Sequence, residues 1–436
     1  MENMKENRRR LSWIVFASAC VRVFFASGSL KANGVILEDL VVRFNSSHSL
    51  VAWAFSLQNG CSLLITPVGT MLLQIFSHRQ LSITGGFCAG AGYILSGLFA
   101  EEVWHIFATY ILSGIGFGLT IISGYLALKE NFPDNISTVS CFAELFHFVG
   151  MATMPTVLNS LKVQFGLRNS LILLGAIMWN LIPCGVGITI PKDTNNSRTV
   201  VKKGQPHESI EKEEKLDNVE YDLLKRGSLL MFMESYFPFF LPFYYHMTFR
   251  YLVIFTLTGA YVYTSWVIFL ISLGTSLDLP MDQAVFLSTV GGVSGLLGKL
   301  LGATLFYVDK ANVYIACLSL LGNALSMLAV IFMRNYLMIA ALTFCSGLSL
   351  GLSTNLLYGM IPLMVCSHHF PPAFSVVLLL QGAVIQLSGL LSGVVRDAMG
   401  STVYVFGFNG ILCLAVLPFM IPWVCTDQTV ETCRFG

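Results

Sequence analysis

Residues 192–218 read KDTNNSRTVVKKGQPHESIEKEEKLDN. The stretch is polar and charged and lacks the apolar residues that a packed core requires. It is the only long polar segment of the chain, and what flanks it is opposite in character. Of 436 residues, 55% are hydrophobic and 11% charged, against roughly 25% charged in an ordinary soluble domain, so water is not the main solvent. A hydrocarbon layer about 30 Å thick takes about 20 apolar residues per helix. Six such runs precede the polar segment, at 11–36, 49–73, 81–100, 103–128, 137–160 and 170–190. Six more follow it, at 251–273, 283–306, 312–333, 337–362, 373–395 and 402–424. The expectation is an all-α membrane protein with 12 transmembrane helices in two six-helix halves, 1–190 and 250–436, joined by a linker over 191–249.

A net charge of +1 argues against a nucleic-acid partner. The basic residues are distributed by topology instead. Lys5, Arg8, Arg9 and Arg10 precede the first run, and Lys192, Arg198, Lys202, Lys203, Lys212, Lys215, Lys225 and Arg226 crowd the linker. Alternate loops carry Glu101, Glu102, Asp278 and Asp282. The positive-inside rule then puts both termini and the linker in the cytoplasm. The first run is too long for a signal peptide and no small-residue cleavage site closes it, so it reads as a retained helix. Eleven cysteines, mostly inside the runs and with no CxxC pair, indicate neither a disulfide framework nor a metal site. No cofactor motif and no enzyme signature appears, so the reading is of a non-enzyme.

One segment complicates the count. SLLMFMESYFPFFLPFYYHM, residues 228–247, is apolar and aromatic but holds Glu234, Pro238 and Pro242. It reads as a helix lying on the cytoplasmic leaflet, with a thirteenth span as the alternative. Small residues at helix-packing spacing, Gly114, Gly116, Gly118, Gly291, Gly295, Gly298, Gly302, Gly347 and Gly351, point to close helix contact. Asn45-Ser46-Ser47 and Asn195-Asn196-Ser197 are sequons, and only Asn45 falls on the outer side as a glycan acceptor.

Six spans, a linker and six spans is the layout of the major facilitator superfamily, whose halves rock about a site near the bilayer midplane. Four stretches narrow the resemblance. GIGFGLTIISGYLALKENF (114–132), FGLRNSLILLGAI (165–177), FSVVLLLQGAVIQLSGLLSGVVRDAMGS (374–401) and LITPVGTMLLQIFSHRQLSITGGFCAGAGYILSGLFA (64–100) resemble the monocarboxylate transporter family at corresponding places. The chain departs from that family at its start, RRRLSWIV, and in its fifth span, NFPDNISTVSCFAELFHFVG, which is acidic and bulky where the family has small residues. The resemblance implies a divergent transporter of small organic anions in the plasma membrane; the altered fifth span leaves as the alternative a non-transporting sensor or scaffold membrane protein derived from the same fold. It also implies a single-span immunoglobulin-like chaperone as partner, which no residue of this chain specifies.

A charge at mid-membrane depth costs several kcal/mol, so it faces a cavity or a partner. In the family, a lysine of the first helix binds the substrate carboxylate, and SLKANGVIL places Lys31 there. The other reading of Lys31 is that it snorkels towards Glu38 and Asp39. In FLSTVGGVSGLLGKLLG (286–302), Lys299 falls where the family has an arginine, and Gly295 where it has an aspartate one turn earlier; Lys299 then either attracts the substrate carboxylate or is simply a helix-end lysine near the cytoplasmic side. Without that aspartate the family's proton acceptor is missing, which leaves proton coupling open. Glu144 and His147 share a helix face, and together they either relay protons or simply hydrogen-bond each other or a neighbouring helix. Asn355, Gln381, Tyr358 and Phe374 are candidate cavity groups. Arg22, half a turn out of phase with Lys31, is expected in a structural pairing; Asp309, Lys310, Arg396 and Asp397, at span ends, are assigned to gating or packing.

Overall fold

In lipid, an apolar run satisfies its own backbone by forming a helix, and helices make up the protein. The structure, a computed structural model, describes residues 2–73, 75–132, 136–188, 247–305, 312–364 and 370–425. The linker, the segment 228–247 apart from Met247, the sequon at Asn195, and Asp309 and Lys310 lie outside the described residues, as do the side chains of Asn355, Tyr358 and Phe374.

The first half comprises α1 (Glu2–Asn33), α2 (Leu37–Arg43), α3 (His48–Leu64), α4 (Thr66–Leu72), α5 (His78–Phe99), α6 (Val103–Asn131), α7 (Ile136–Met178) and α8 (Leu181–Val186). The second comprises α9 (Met247–Ser276), α10 (Met281–Leu305), α11 (Asn312–Ala329), α12 (Tyr336–Met364), α13 (Phe370–Met399) and α14 (Val403–Cys425). Ten helices among the described residues are long and apolar enough to cross a membrane. Two local breaks bring this to twelve crossings. The second expected span is split into α3 and α4 at Ile65, with Pro67 in the first turn of α4. The fifth and sixth spans run together as α7 but fold back at Gly166, whose φ of 77° and ψ of 167° are non-helical.

Contacts on either side of Gly166 establish the hairpin. Before it, α7 runs parallel to α1, with Gly150 against Phe24 and Met154 against Gly28. After it, the chain runs antiparallel to α5: Arg168 donates to Gly97 O at 3.0 Å, and Trp179 stacks on Phe87.

The predicted role of the small residues is observed. Gly114, Gly116 and Gly118 of α6 lie against Gln58, Ala89 and Ser62, while Gly347 and Gly351 of α12 meet Gly291 and Gly295 of α10. The halves meet along two seams. In one, α3 packs against α13, with Gly60, Gly382, Gly389 and Gly393 at the points of closest approach. In the other, α7 packs against α10, where Gly292 meets Ala152 and Thr289 donates to Ala152 O at 3.0 Å. We call the end carrying residues 34–47 the outer end. There Asn45 is exposed, in a left-handed turn with φ of 46°.

Gly166 adopts a backbone region that is almost glycine-only. Gly166→Ala is expected to cost about 1–3 kcal/mol, read as a lower melting temperature of the purified protein in detergent. An unchanged melting temperature would show that the hairpin does not need glycine.

Candidate functional site

Between the seams lies a cavity of about 230 Å³ with walls from both halves. Ser27 of α1, Gln58 of α3, and Glu144 and His147 of α7 face it from the first half; Tyr263 of α9, Lys299 of α10 and Gln381 of α13 face it from the second. Three of the predicted groups, Lys299, Glu144 and His147, are therefore brought together, with Gln381 opposite.

Their pairing differs from the one read along the sequence. Glu144 does not turn to His147 but reaches across to Lys299, at 3.1 Å, and Lys299 also donates to the Glu144 carbonyl at 3.4 Å. His147 likewise crosses to the other half and hydrogen-bonds the Tyr263 hydroxyl, which also contacts Met151 Sδ at 2.9 Å. Lys299 is only 4% exposed. A buried ammonium needs an anion nearby, and here the anion comes from the opposite half. The position expected to carry an aspartate, Gly295, has no room for one, because a Cβ there would collide with the Phe148 ring.

Lys31 lies just beyond the cavity, next to the lining residue Leu30, and is wholly buried. Its ammonium stands 3.6 Å from the centre of the Trp266 ring and donates to Trp266 O at 3.4 Å. The indole is fixed in turn, since Nε1 donates to Ser346 Oγ at 3.1 Å. Snorkelling is not observed, because the two acids Lys31 would reach are engaged elsewhere. Asp39 pairs with Lys162 at 2.8 Å, and Glu38 bonds His48 at 3.0 Å.

The pairing expected for Arg22 is not found. Its Nε and both Nη atoms are buried with no hydrogen-bond acceptor among the described residues. The guanidinium lies on Gly124, where any Cβ would strike it. Arg396 and Asp397 sit at the outer end of α13, and Asp397 Oδ1 accepts from the backbone N–H of His48 at 3.0 Å, tying α3 to α13.

A polar network behind Gln58 went unread in the sequence. Asn33 Nδ2 donates to Gln58 Oε1 at 2.8 Å, Gln58 Nε2 to the Tyr93 hydroxyl at 2.9 Å, and the Tyr110 hydroxyl to Asn33 Oδ1 at 3.1 Å. It locks the amide that faces the cavity. Asn33 and Gln58 inside apolar runs were the available signal.

Two halves closing on a central cavity is an arrangement other proteins share, and the profile of the Major Facilitator Superfamily matches residues 19–278. The chain belongs to the major facilitator superfamily. That membership and its apolar helices make it an integral membrane protein. Within the superfamily it is a divergent relative of monocarboxylate transporters. It is 26% identical over 204 residues to human (Homo sapiens) monocarboxylate transporter 14, covering 46% of this chain and 40% of that protein. The match to human monocarboxylate transporter 7 is 28% over 177 residues, 40% of this chain and 33% of that protein. These alignments span less than half of either relative's length. Monocarboxylate transporter 3 of Rattus norvegicus matches at 23% identity over 404 residues, 91% of this chain and 76% of that protein. Among solved structures, a peptide transporter, POT, superimposes with a TM-score of 0.70 at 13% identity, covering 97% of this chain and 99% of that one. A POT family transporter in complex with 5-aminolevulinic acid gives 0.67 at 12% identity, covering 96% and 97%. These two likenesses establish the fold.

The clash at Gly295 is testable by coupling. Gly295→Asp and Phe148→Ala should each lower the melting temperature, and the double variant should lose less than the sum of the two, since neighbours in contact are non-additive. Strict additivity would remove the clash as the reason for glycine.

Proposed function

We propose that the chain is an alternating-access transporter of small organic anions, with monocarboxylates the class that fits best. The observation that carries this reading is the Lys299–Glu144 pair, an ion pair in the cavity wall between a buried ammonium and a partly exposed carboxylate that belong to opposite halves. A substrate carboxylate competes with Glu144 for Lys299. Once displaced, the Glu144 carboxylate loses the cation that holds its charge and gains affinity for a proton, which His147, one turn along the same helix face, exchanges in this reading. The cross-half tie is then broken, and the halves are free to rock.

Lys31 supplies the second cation. Its ammonium has three donors, and a ring face and one long hydrogen bond do not use them fully. It therefore receives a carboxylate when α1 and α9 move apart. The cavity suits a small solute, being below the roughly 300–1,000 Å³ of sites for drug-sized ligands. We place the protein in the plasma membrane with its outer end extracellular, following its basic-residue asymmetry and its relatives; a single-span immunoglobulin-like chaperone belongs to the same proposal.

Uptake of labelled lactate or pyruvate into vesicles holding the purified protein tests the reading. Transport above empty vesicles is expected, with Lys31→Ala reducing it at least tenfold at equal protein level. No uptake of any candidate anion, and no thermal shift on adding one, would overturn it. Coupling is read separately: internal acidification should accompany uptake and vanish in Glu144→Gln. Uptake without acidification in the unaltered protein would make transport facilitative.

A further inference from the structure

At the outer end, the seam between α3 and α13 is not apolar. His48, the first residue of α3, is held between two carboxylates from different parts of the molecule. Its Nε2 lies 3.0 Å from Glu38 Oε2 of α2, and its Nδ1 lies 2.8 Å from Asp397 Oδ1 of α13. Glu38 belongs to the first half and Asp397 to the second, so the imidazole joins them. The second half reinforces the junction twice. Asp397 Oδ2 accepts from the Ser49 backbone at 2.9 Å, and Ser272 of α9 donates to Glu38 Oε1 while contacting Thr402 at 2.9 Å.

We propose that His48 is a proton-binding site on the outer face, and that the proton bound there latches the outer ends of the two halves together. The argument is one of donors and acceptors. An ionised carboxylate only accepts hydrogen bonds, so an imidazole bonded through both nitrogens to two carboxylates must carry hydrogen on both. Remove the proton and one nitrogen presents a lone pair to a carboxylate, which repels. The latch thus holds when His48 is charged and fails when it is neutral.

The charged groups around His48 are few. Glu38 faces it from α2, and Asp397 with Arg396 from α13. Nearby titratable groups on other packed elements are engaged elsewhere: Asp39 with Lys162 of α7, His105 of α6 with the backbone N–H groups of Glu101 and Glu102, and Lys31 of α1 with Trp266. Arg396 opposes the charge on His48. The hydrogen bond to Glu38 outweighs burial and Arg396, so the His48 pKa is raised from its ordinary value. Burial pushes the Glu38 carboxyl up, but the hydrogen bonds from His48 and Ser272 prevail and hold it below its ordinary value. The sign follows by linkage. The raised histidine stabilises the latched form fully below the pKa of a free histidine, and this is lost as pH rises through the raised value. The lowered glutamate contributes above the usual carboxylate range, and this is lost as pH falls through its own value. The latch is tightest between the lowered value of Glu38 and the ordinary histidine value, and loosens as pH rises through the raised value of His48. Acid outside therefore slows reopening of the outer face, the opposite of what a proton acceptor in the cavity would do to uptake.

The inference rests on the reading that the halves move, and its test separates the two. Val42, in the outer helix α2, and Leu337, at the outer start of α12, are both well exposed. Each is replaced by a keto amino acid that takes a spin label, which leaves the native cysteines alone, and the distance between labels is measured in lipid nanodiscs at about pH 5.5 and about pH 8.5. In the otherwise unaltered chain a short distance should dominate in acid. The ratio of short to long should fall at least about threefold on raising the pH. His48→Gln, which cannot charge, should lose that dependence and shift towards the long distance. His48→Arg, a permanent cation, should stay short at both pH values and shows that the site tolerates substitution. Two distances whose ratio ignores pH, or a pH response that survives in His48→Gln, would overturn the latch while leaving the transporter reading standing. A single short distance in every variant would also overturn it, because cutting the latch then releases nothing. The transporter reading would then be judged by anion uptake and its loss in Lys31→Ala.

Discussion

A bilayer interior neither solvates charge nor offers hydrogen bonds, and this is the constraint from which the arrangement of the protein follows. Backbone groups meet it by forming helices, and side chains meet it by finding partners within the bundle. The buried cations show different degrees of success. Lys299 has a carboxylate, Lys31 has a ring face and a carbonyl, and Arg22 has no acceptor among the described residues. The acid that answers Lys299 stands on the other half. In the related pattern, an acid and a base one turn apart on a single helix would ride together through any rigid-body motion. Here the same two charges are separated whenever the halves part, so the cost of separating them falls on the movement itself.

Much of the fold was legible because its signals are local. Apolar length set the spans, charge bias set their orientation as an expectation, and glycine spacing marked close contacts that the structure places between α6 and its neighbours and between α10 and α12. The break between α3 and α4 went unread, because the apolar run over 49–73 continues through it; Pro67 was the available signal. The reversal at Gly166 was legible as the gap between two runs.

The site was legible in its members and not in its pairings. Glu144 and His147 look like partners because a one-dimensional pattern exposes i, i+3 neighbours. Their actual partners lie 155 and 116 positions away, at a distance no periodicity reports. His48 sat beside a sequon in a short polar link, where nothing in the sequence distinguished it from a helix start. Gly295 was noticed for the acid it lacks. Only the packing showed that Phe148 occupies the space, so that the missing acid and the bulky fifth span, two departures from the related pattern, are one change seen from two helices.

Arg22 reaches further than its contacts. A positive charge with no hydrogen-bond acceptor among the described residues, set in a poorly polarisable medium, is felt over many ångströms, since its potential falls only as the inverse of distance and counter-ions cannot gather round it. Val23, its neighbour on α1, lines the cavity. If the cavity is the path proposed above, a solute entering there would feel that charge before touching a cation, a bias towards anions over cations of the same size and shape. On the proposed reading, an arginine that need never touch what passes helps to set the sign of the charge admitted.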